Sequence, residues 1–180
     1  GLYRPLTNFS HALEWPHFGL ESRGYHVVNT VLYGLVSALV FAFLRWYRLG
    51  LAASLGAAAL FAFHPVHTEA VDAIAGRSEL MSLGFSLIAL IAFARALFPS
   101  GESEPRDVPH GGWFTVATVG LIGALGSKET GAVTALLMTM QLGAAQLASS
   151  ARGGARFSKR RTAADLAPIL LIVLAWAILR

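Results

Sequence analysis

The chain has 180 residues, 55% apolar and 13% charged, with a mean hydropathy of +0.58. Soluble domains carry about a quarter charged residues, so this composition excludes a disordered chain and argues against an ordinary soluble domain. The formal charge of +4 and isoelectric point near 10 would suggest nucleic acid in a soluble protein; set between apolar runs they report membrane orientation instead, and no nucleic-acid partner is expected.

Residues 1–24 are mixed, with Leu6, Phe9 and Leu13 at helical spacing; Trp15, Phe18 and the following Tyr25 are of the kind that sit at a membrane interface. They predict an external interfacial helix and loop. Apolar runs then follow at about 25–44, 51–66 and 80–98, a hydrophilic loop at 99–112, two runs at 113–126 and 130–148, a basic loop at 151–164, and a last run at 166–180. At roughly 20 residues per spanning helix, residues 25–180 predict an all-α, polytopic membrane helical bundle of about six spans. The run 113–126 is short for a span, and only Ser127-Lys128-Glu129 separates it from the next. Either the pair is re-entrant or this polar turn lies below the membrane surface, where irregular backbone is tolerated only against protein or a cavity. Gly34 and Ala38, Ala52 and Gly56, and Gly120 and Ala124 are candidate small-residue helix contacts. The chain opens on Gly1 without an initiator Met or signal peptide and stops at Arg180 beside an apolar run, so it is expected to be part of a longer polytopic protein.

Loop charges set the orientation. With the loop after the first run inside, nine of the fourteen basic residues fall on the inner side, and six of the ten acidic residues on the outer side. The inner loops carry solvated arginines. The outer ends carry the unusual polar groups: Arg4; His26 and Asn29; His64, His67 and Glu69; Arg77 and Glu79; Lys128 and Glu129. Ionisable groups at membrane depth are costly and face a cavity or one another, so these segments predict one site open to the non-cytoplasmic side. Arg77, with its planar fork, and Lys128, a point charge, suit an anion; helix-end snorkelling is the competing reading. His64, His67 and Glu69 make a weak metal-ligand set, because Pro65 interrupts them and the spacing is not that of a zinc protease. No metal or other cofactor is assigned, although a divalent metal is compatible with the residues. There is no cysteine for a thiolate site, and no nucleotide fingerprint or Ser-His-Asp arrangement. Clustered cations at depth suit an anionic, lipid-linked substrate whose tail lies between spans. A transporter or flippase for an anionic lipid or solute, or a non-catalytic membrane scaffold, is the alternative.

Five blocks occur in order: Tyr3-Arg4-Pro5-Leu6-Thr7, Tyr25-His26-Val27-Val28-Asn29, His64-Pro65-Val66-His67-Thr68-Glu69-Ala70-Val71, Gly76-Arg77-Ser78-Glu79-Leu80 and Ser127-Lys128-Glu129-Thr130. Together they resemble the membrane region of the transmembrane O-mannosyltransferases that act on cadherins, a region shared by bacterial multi-pass proteins with tetratricopeptide tails. The resemblance implies the C-type glycosyltransferase fold and a polyprenyl-phosphate sugar donor, with mannose the expected hexose. It also implies inverting transfer to a protein hydroxyl on the periplasmic or lumenal face of a bacterial inner membrane or endoplasmic reticulum. It places the catalytic acidic residues in an external loop upstream of the Tyr-Arg-Pro block, so no residue here is named as the base. The matching positions Arg4, His26, Asn29, His64, His67, Glu69, Arg77, Glu79, Lys128 and Glu129 carry over as candidates for the substrate and lipid-phosphate site.

Overall fold

The computed structural model describes residues 4–98, 111–151 and 159–179. Tyr3, Arg180, the loop 99–110 and the segment 152–158 lie outside them, and with them most of the two expected inner loops. The described residues are helical, with no strand among them. In chain order they form α1 (Pro5–Phe18), α2 (Ser22–Trp46), α3 (Leu51–Phe63), a 3-10 turn (Pro65–His67), α4 (Thr68–Asp72), a second 3-10 turn (Ile74–Gly76) and α5 (Arg77–Leu97). Then come α6 (Gly111–Ser127), a third 3-10 turn (Glu129–Gly131), α7 (Ala132–Ala151) and α8 (Lys159–Leu179).

Local chemistry explains where the helices stop. Pro5 opens α1 at a position where its missing N–H costs nothing. α2 ends at Trp46, and Arg48 behind it takes φ 60°, the left-handed geometry that closes helices. α3 ends at Phe63 rather than running on to 66, because His64 precedes Pro65 and is extended (φ −72°, ψ 126°). The expected connector 70–79 is largely helical: α4 and the second 3-10 turn fill it, and α5 begins at Arg77, three residues earlier than the apolar run. Likewise α8 begins at Lys159, inside the stretch expected to be loop.

Three segments are long and apolar enough to cross a membrane: Ser22–Trp46, Ile74–Leu97 and Glu129–Ala148. A fourth exists if α3 and the residues Pro65–Asp72, bent by 49°, count as one span. Gly111–Ser127 and Leu166–Leu179 are apolar but shorter. The about six apolar runs are thus all helical, while length and composition give three to four candidate spans among the described residues.

The core lies where α5, α6 and α7 meet, around Phe93, Leu97, Leu121, Leu125, Met138 and Leu142, with Ile169 of α8 closing it. α5 and α6 share the most extensive interface. Gly120 permits it: a Cβ there would stand 3.0 Å from the Ala89 backbone. Of the small-residue pairs, Gly120 and Ala124 serve a helix contact, while Gly34 and Gly56 have nothing within 4 Å. At one end of the bundle Arg95 lies over the rings of Trp46 and Trp113, 5.0 and 4.6 Å from their centroids. This joins the last turns of α2 and α5 to the first turn of α6. The opposite end therefore gathers the starts of α2 and α5 with the end of α6, and α1 lies against it.

Candidate functional site

Nearly every outer-end polar candidate lies at this second end, but the structure sorts the candidates into two groups. The first group is a buried strut. Arg77, the first residue of α5, has no exposed surface. Its Nε donates to Asn29 Oδ1 at 2.9 Å, Nη1 to Glu14 Oε1 at 2.5 Å and to Ser10 Oγ at 3.5 Å, and Nη2 to the Tyr25 carbonyl at 3.3 Å. Asn29, also fully buried, passes the link on: its Nδ2 donates to the carbonyls of Val71 (3.4 Å) and Ala73 (3.1 Å). One guanidinium thus ties α1, α2 and the turn after α4 to the start of α5. Of the expected substrate-site residues, Arg77 and Asn29 do not line the cavity: their donors and acceptors are turned into the protein and paired there.

The second group surrounds a cavity of about 900 Å³. Arg4, which precedes α1, grips Glu129 with a two-nitrogen fork: Nη2 to Oε1 at 3.0 Å and Nε to Oε2 at 3.3 Å. Its Nη1 reaches Ser78 Oγ at 3.4 Å. Lys128, extended between α6 and the third 3-10 turn (φ −157°, ψ 153°), pairs through Nζ with Glu79 Oε1. Arg77, Ser78 and Glu79 are consecutive on the first turn of α5, so the strut fixes the turn that presents Ser78 and Glu79 to the cavity. On the far side, Ser127 is buried and its carbonyl accepts from Thr7 Oγ1 at 3.0 Å. The polar turn between α6 and α7 is therefore covered by α1.

The histidine block divides in the same way. His67 lines the cavity, its ring against Phe61 (4.3 Å between centroids) and Tyr33 (5.7 Å), and Glu69 lines it from α4. His64 is exposed and caps the first 3-10 turn, its Nδ1 accepting from the Val66 N–H at 3.2 Å. The two imidazoles stand 6.1 Å apart. Among the described residues no three His, Asp or Glu side chains gather as a metal set, and His64, His67 and Glu69 do not form one. His26 is half-buried on α2 and does not line the cavity.

Below the charged rim the cavity turns apolar. Leu83, Leu87 and Leu90 descend along α5, facing Val133 and Leu137 of α7 and Phe43 of α2. The helical rise puts Leu90 about 16 Å below Glu79.

Proteins of known name resemble this sequence. The chain is 40% identical over 102 residues to the protein O-mannosyl-transferase TMTC3 of Mus musculus, covering 56% of this chain and 11% of that protein. It is 34% identical over 141 residues to Tmtc2 of Drosophila melanogaster (77% and 14%), and 35% identical over 145 residues to TMTC4 of Mus musculus (72% and 19%). The chain belongs to the TMTC family of protein O-mannosyl-transferases. It spans less than a fifth of the length of these relatives, between 11% and 19%. No family model and no solved structure matches it.

In this family member the sequence reading missed Glu14 and Ser10, two partners of the buried arginine. A signal for them exists: Thr7, Ser10, His11 and Glu14 follow helical spacing along α1, a polar stripe that faces α2, α5 and the α6 end rather than water. His11 belongs to this stripe, and its Nδ1 is buried with no hydrogen-bond partner. Burial pushes its imidazole below the ordinary value of 6.5, the Arg77 guanidinium pushes it the same way, and Glu14 opposes them. The unfolded chain therefore takes up the proton first. The stability from neutral His11 is present above the unfolded value and lost as pH falls through the folded one. Melting curves from about pH 7.5 to about pH 5.5 are expected to show a smaller acid-induced fall in His11→Phe than in the wild type.

Proposed function

We propose that this chain forms the lipid-donor side of an integral-membrane glycosyltransferase. The enzyme would move mannose from a polyprenyl-phosphate donor to a protein hydroxyl on the non-cytoplasmic face. The observation that carries this reading is the cavity itself: Arg4 and Lys128 at a polar rim, continuous with an apolar wall between α2, α5 and α7. A phosphate head fits the rim and an isoprenoid tail the wall. The names of the relatives support transfer of mannose to protein, and the charge asymmetry of the loops supports the orientation.

In the reaction a carboxylate base takes the proton of the acceptor hydroxyl. The oxygen attacks the anomeric carbon from the face opposite the phosphate, and the bond between that carbon and the phosphate oxygen breaks with inversion. The bonding pair leaves with the phosphate, where Arg4 and Lys128 oppose the growing negative charge. Arg77 and Asn29 act one step removed, by holding the turns that carry Ser78, Glu79 and Glu69.

Binding of farnesyl phosphate to the full-length protein in nanodiscs tests the reading. Arg4→Ala and Lys128→Ala are each expected to weaken binding by about tenfold or more, the scale of removing one charge-assisted hydrogen bond from a partly buried site. Unchanged affinity in both variants overturns the assignment of the rim as the phosphate site.

A further inference from the structure

The cations at the rim are not free. Arg4 is held by Glu129 through a fork and Lys128 by Glu79 through a single ion pair. In each pair the cation is the more sheltered partner: side-chain exposure is 20% for Arg4 against 30% for Glu129, and 17% for Lys128 against 48% for Glu79. The carboxylates are the groups with room to withdraw. The two pairs differ in strength. A guanidinium fork fixes direction at both nitrogens, whereas an ammonium is a point charge that turns to any acceptor in reach. Glu79 is also the most exposed of the four. The Lys128–Glu79 pair is the exchangeable one, and the Arg4–Glu129 pair is the fixed one.

We propose that Glu79 is a built-in counter-ion of Lys128 that makes the site selective for the charge state of the head group. This rests on the lipid-phosphate reading of the rim. The donor is a phosphodiester with one negative charge. Transfer of the sugar leaves a phosphomonoester, which carries close to two charges at neutral pH. With Glu79 in place, Lys128 is shared between the carboxylate and a singly charged head group. As the anomeric C–O bond breaks and the electron pair passes to the phosphate oxygen, the head group gains a second charge, and its repulsion by the Glu79 carboxylate beside Lys128 becomes larger than that felt by the diester. The carboxylate keeps its claim on Lys128 and so favours departure of the monoester product. Glu79 therefore sets both the preference between the two head groups and the release of the product.

Affinities of farnesyl phosphate, a monoester, and methyl farnesyl phosphate, a singly charged diester, separate the outcomes in the full-length protein. Glu79→Gln keeps the side chain's size and removes its charge. It is expected to tighten the monoester about three- to fivefold and the diester no more than about twofold, the range of a part-exposed ion pair. Glu79→Asp, which keeps the charge, is expected to restore the wild-type ratio. Equal affinities in wild type and Glu79→Gln, or weaker binding of both probes, overturns the proposal; weaker binding would make Glu79 a direct ligand instead. If Arg4→Ala and Lys128→Ala both bind farnesyl phosphate like the wild type, the lipid-phosphate reading itself fails, a different result from either of these.

Discussion

Replacing Arg77 with methionine is expected to destabilise the protein by about 3–5 kcal/mol, the scale of breaking one partner out of a buried ion pair. The size follows from what is left behind. Methionine fills most of the volume, so the loss is electrostatic and polar rather than a cavity. Glu14 keeps a carboxylate whose second oxygen, Oε2, is already buried without a partner. Removing the guanidinium takes away the partner of Oε1 as well. Asn29 Oδ1 and the Tyr25 carbonyl lose their donor in the same step. Arg77→Lys restores the charge but not the fork, and is expected to recover less than half of the loss, because one ammonium cannot reach Asn29, Glu14 and Tyr25 together. The double variant Arg77→Met with Glu14→Gln removes the stranded charge and is expected to be more stable than Arg77→Met alone. Heat denaturation of the four proteins in one detergent checks the order. An Arg77→Met variant that melts like the wild type would show that the strut contributes nothing.

The strut also shows which parts of the fold and site were legible in the sequence. Helical class, the cluster of polar groups at one end of the bundle and the family follow from apolar runs and short motifs, because long apolar runs and rare polar groups between them leave strong local signals. The partition of that cluster does not. Arg77, Ser78 and Glu79 are neighbours in sequence, yet Arg77 enters the protein while Ser78 and Glu79 meet the cavity. On a helix, successive side chains point about 100° apart, and which one faces inward depends on where α1 lies. α1 comes from the other end of the chain: its Glu14 meets Arg77 across 63 residues. Pairing at that range has no local signature. For the same reason Lys128 and Glu79, and Arg4 and Glu129, read as four separate candidates in sequence and as two ion pairs in space. The number of spans resists a sequence count for a different reason. Breaks at Pro65 and at Lys128 leave α3 and α6 too short to cross on their own.

Gly76→Ala and Gly131→Ala are expected to be the most damaging glycine-to-alanine changes among the described residues, each costing about 2–3 kcal/mol and displacing a turn that builds the cavity. At Gly76 an added Cβ would stand 2.4 Å from the carbonyl oxygen of Ala70, and at Gly131 2.4 Å from the carbonyl carbon of Ala124. Both obstacles are backbone, so no side-chain rotation relieves them. Conformational freedom is not the issue at Gly76, whose φ of −62° suits any residue; the requirement is close approach. The consequence for the site is directional. Gly76 is pressed against α4, which carries Glu69, and adjoins Arg77, so the methyl group pushes Glu69 away from the turn holding Ser78 and Glu79. Gly131 is pressed against the end of α6, so its methyl group shifts the turn that holds Lys128 and Glu129. Farnesyl phosphate affinity should therefore fall in both variants, and by more in Gly131→Ala, which moves Lys128 directly. Gly56→Ala is the control: nothing lies within 4 Å of its added methyl, and inside α3 alanine is favoured over glycine by about 0.8–1 kcal/mol. It is expected to raise the melting temperature slightly and leave binding unchanged. If Gly76→Ala and Gly131→Ala instead track Gly56→Ala in both measurements, the close packing of these two turns against their neighbours is not what shapes the cavity.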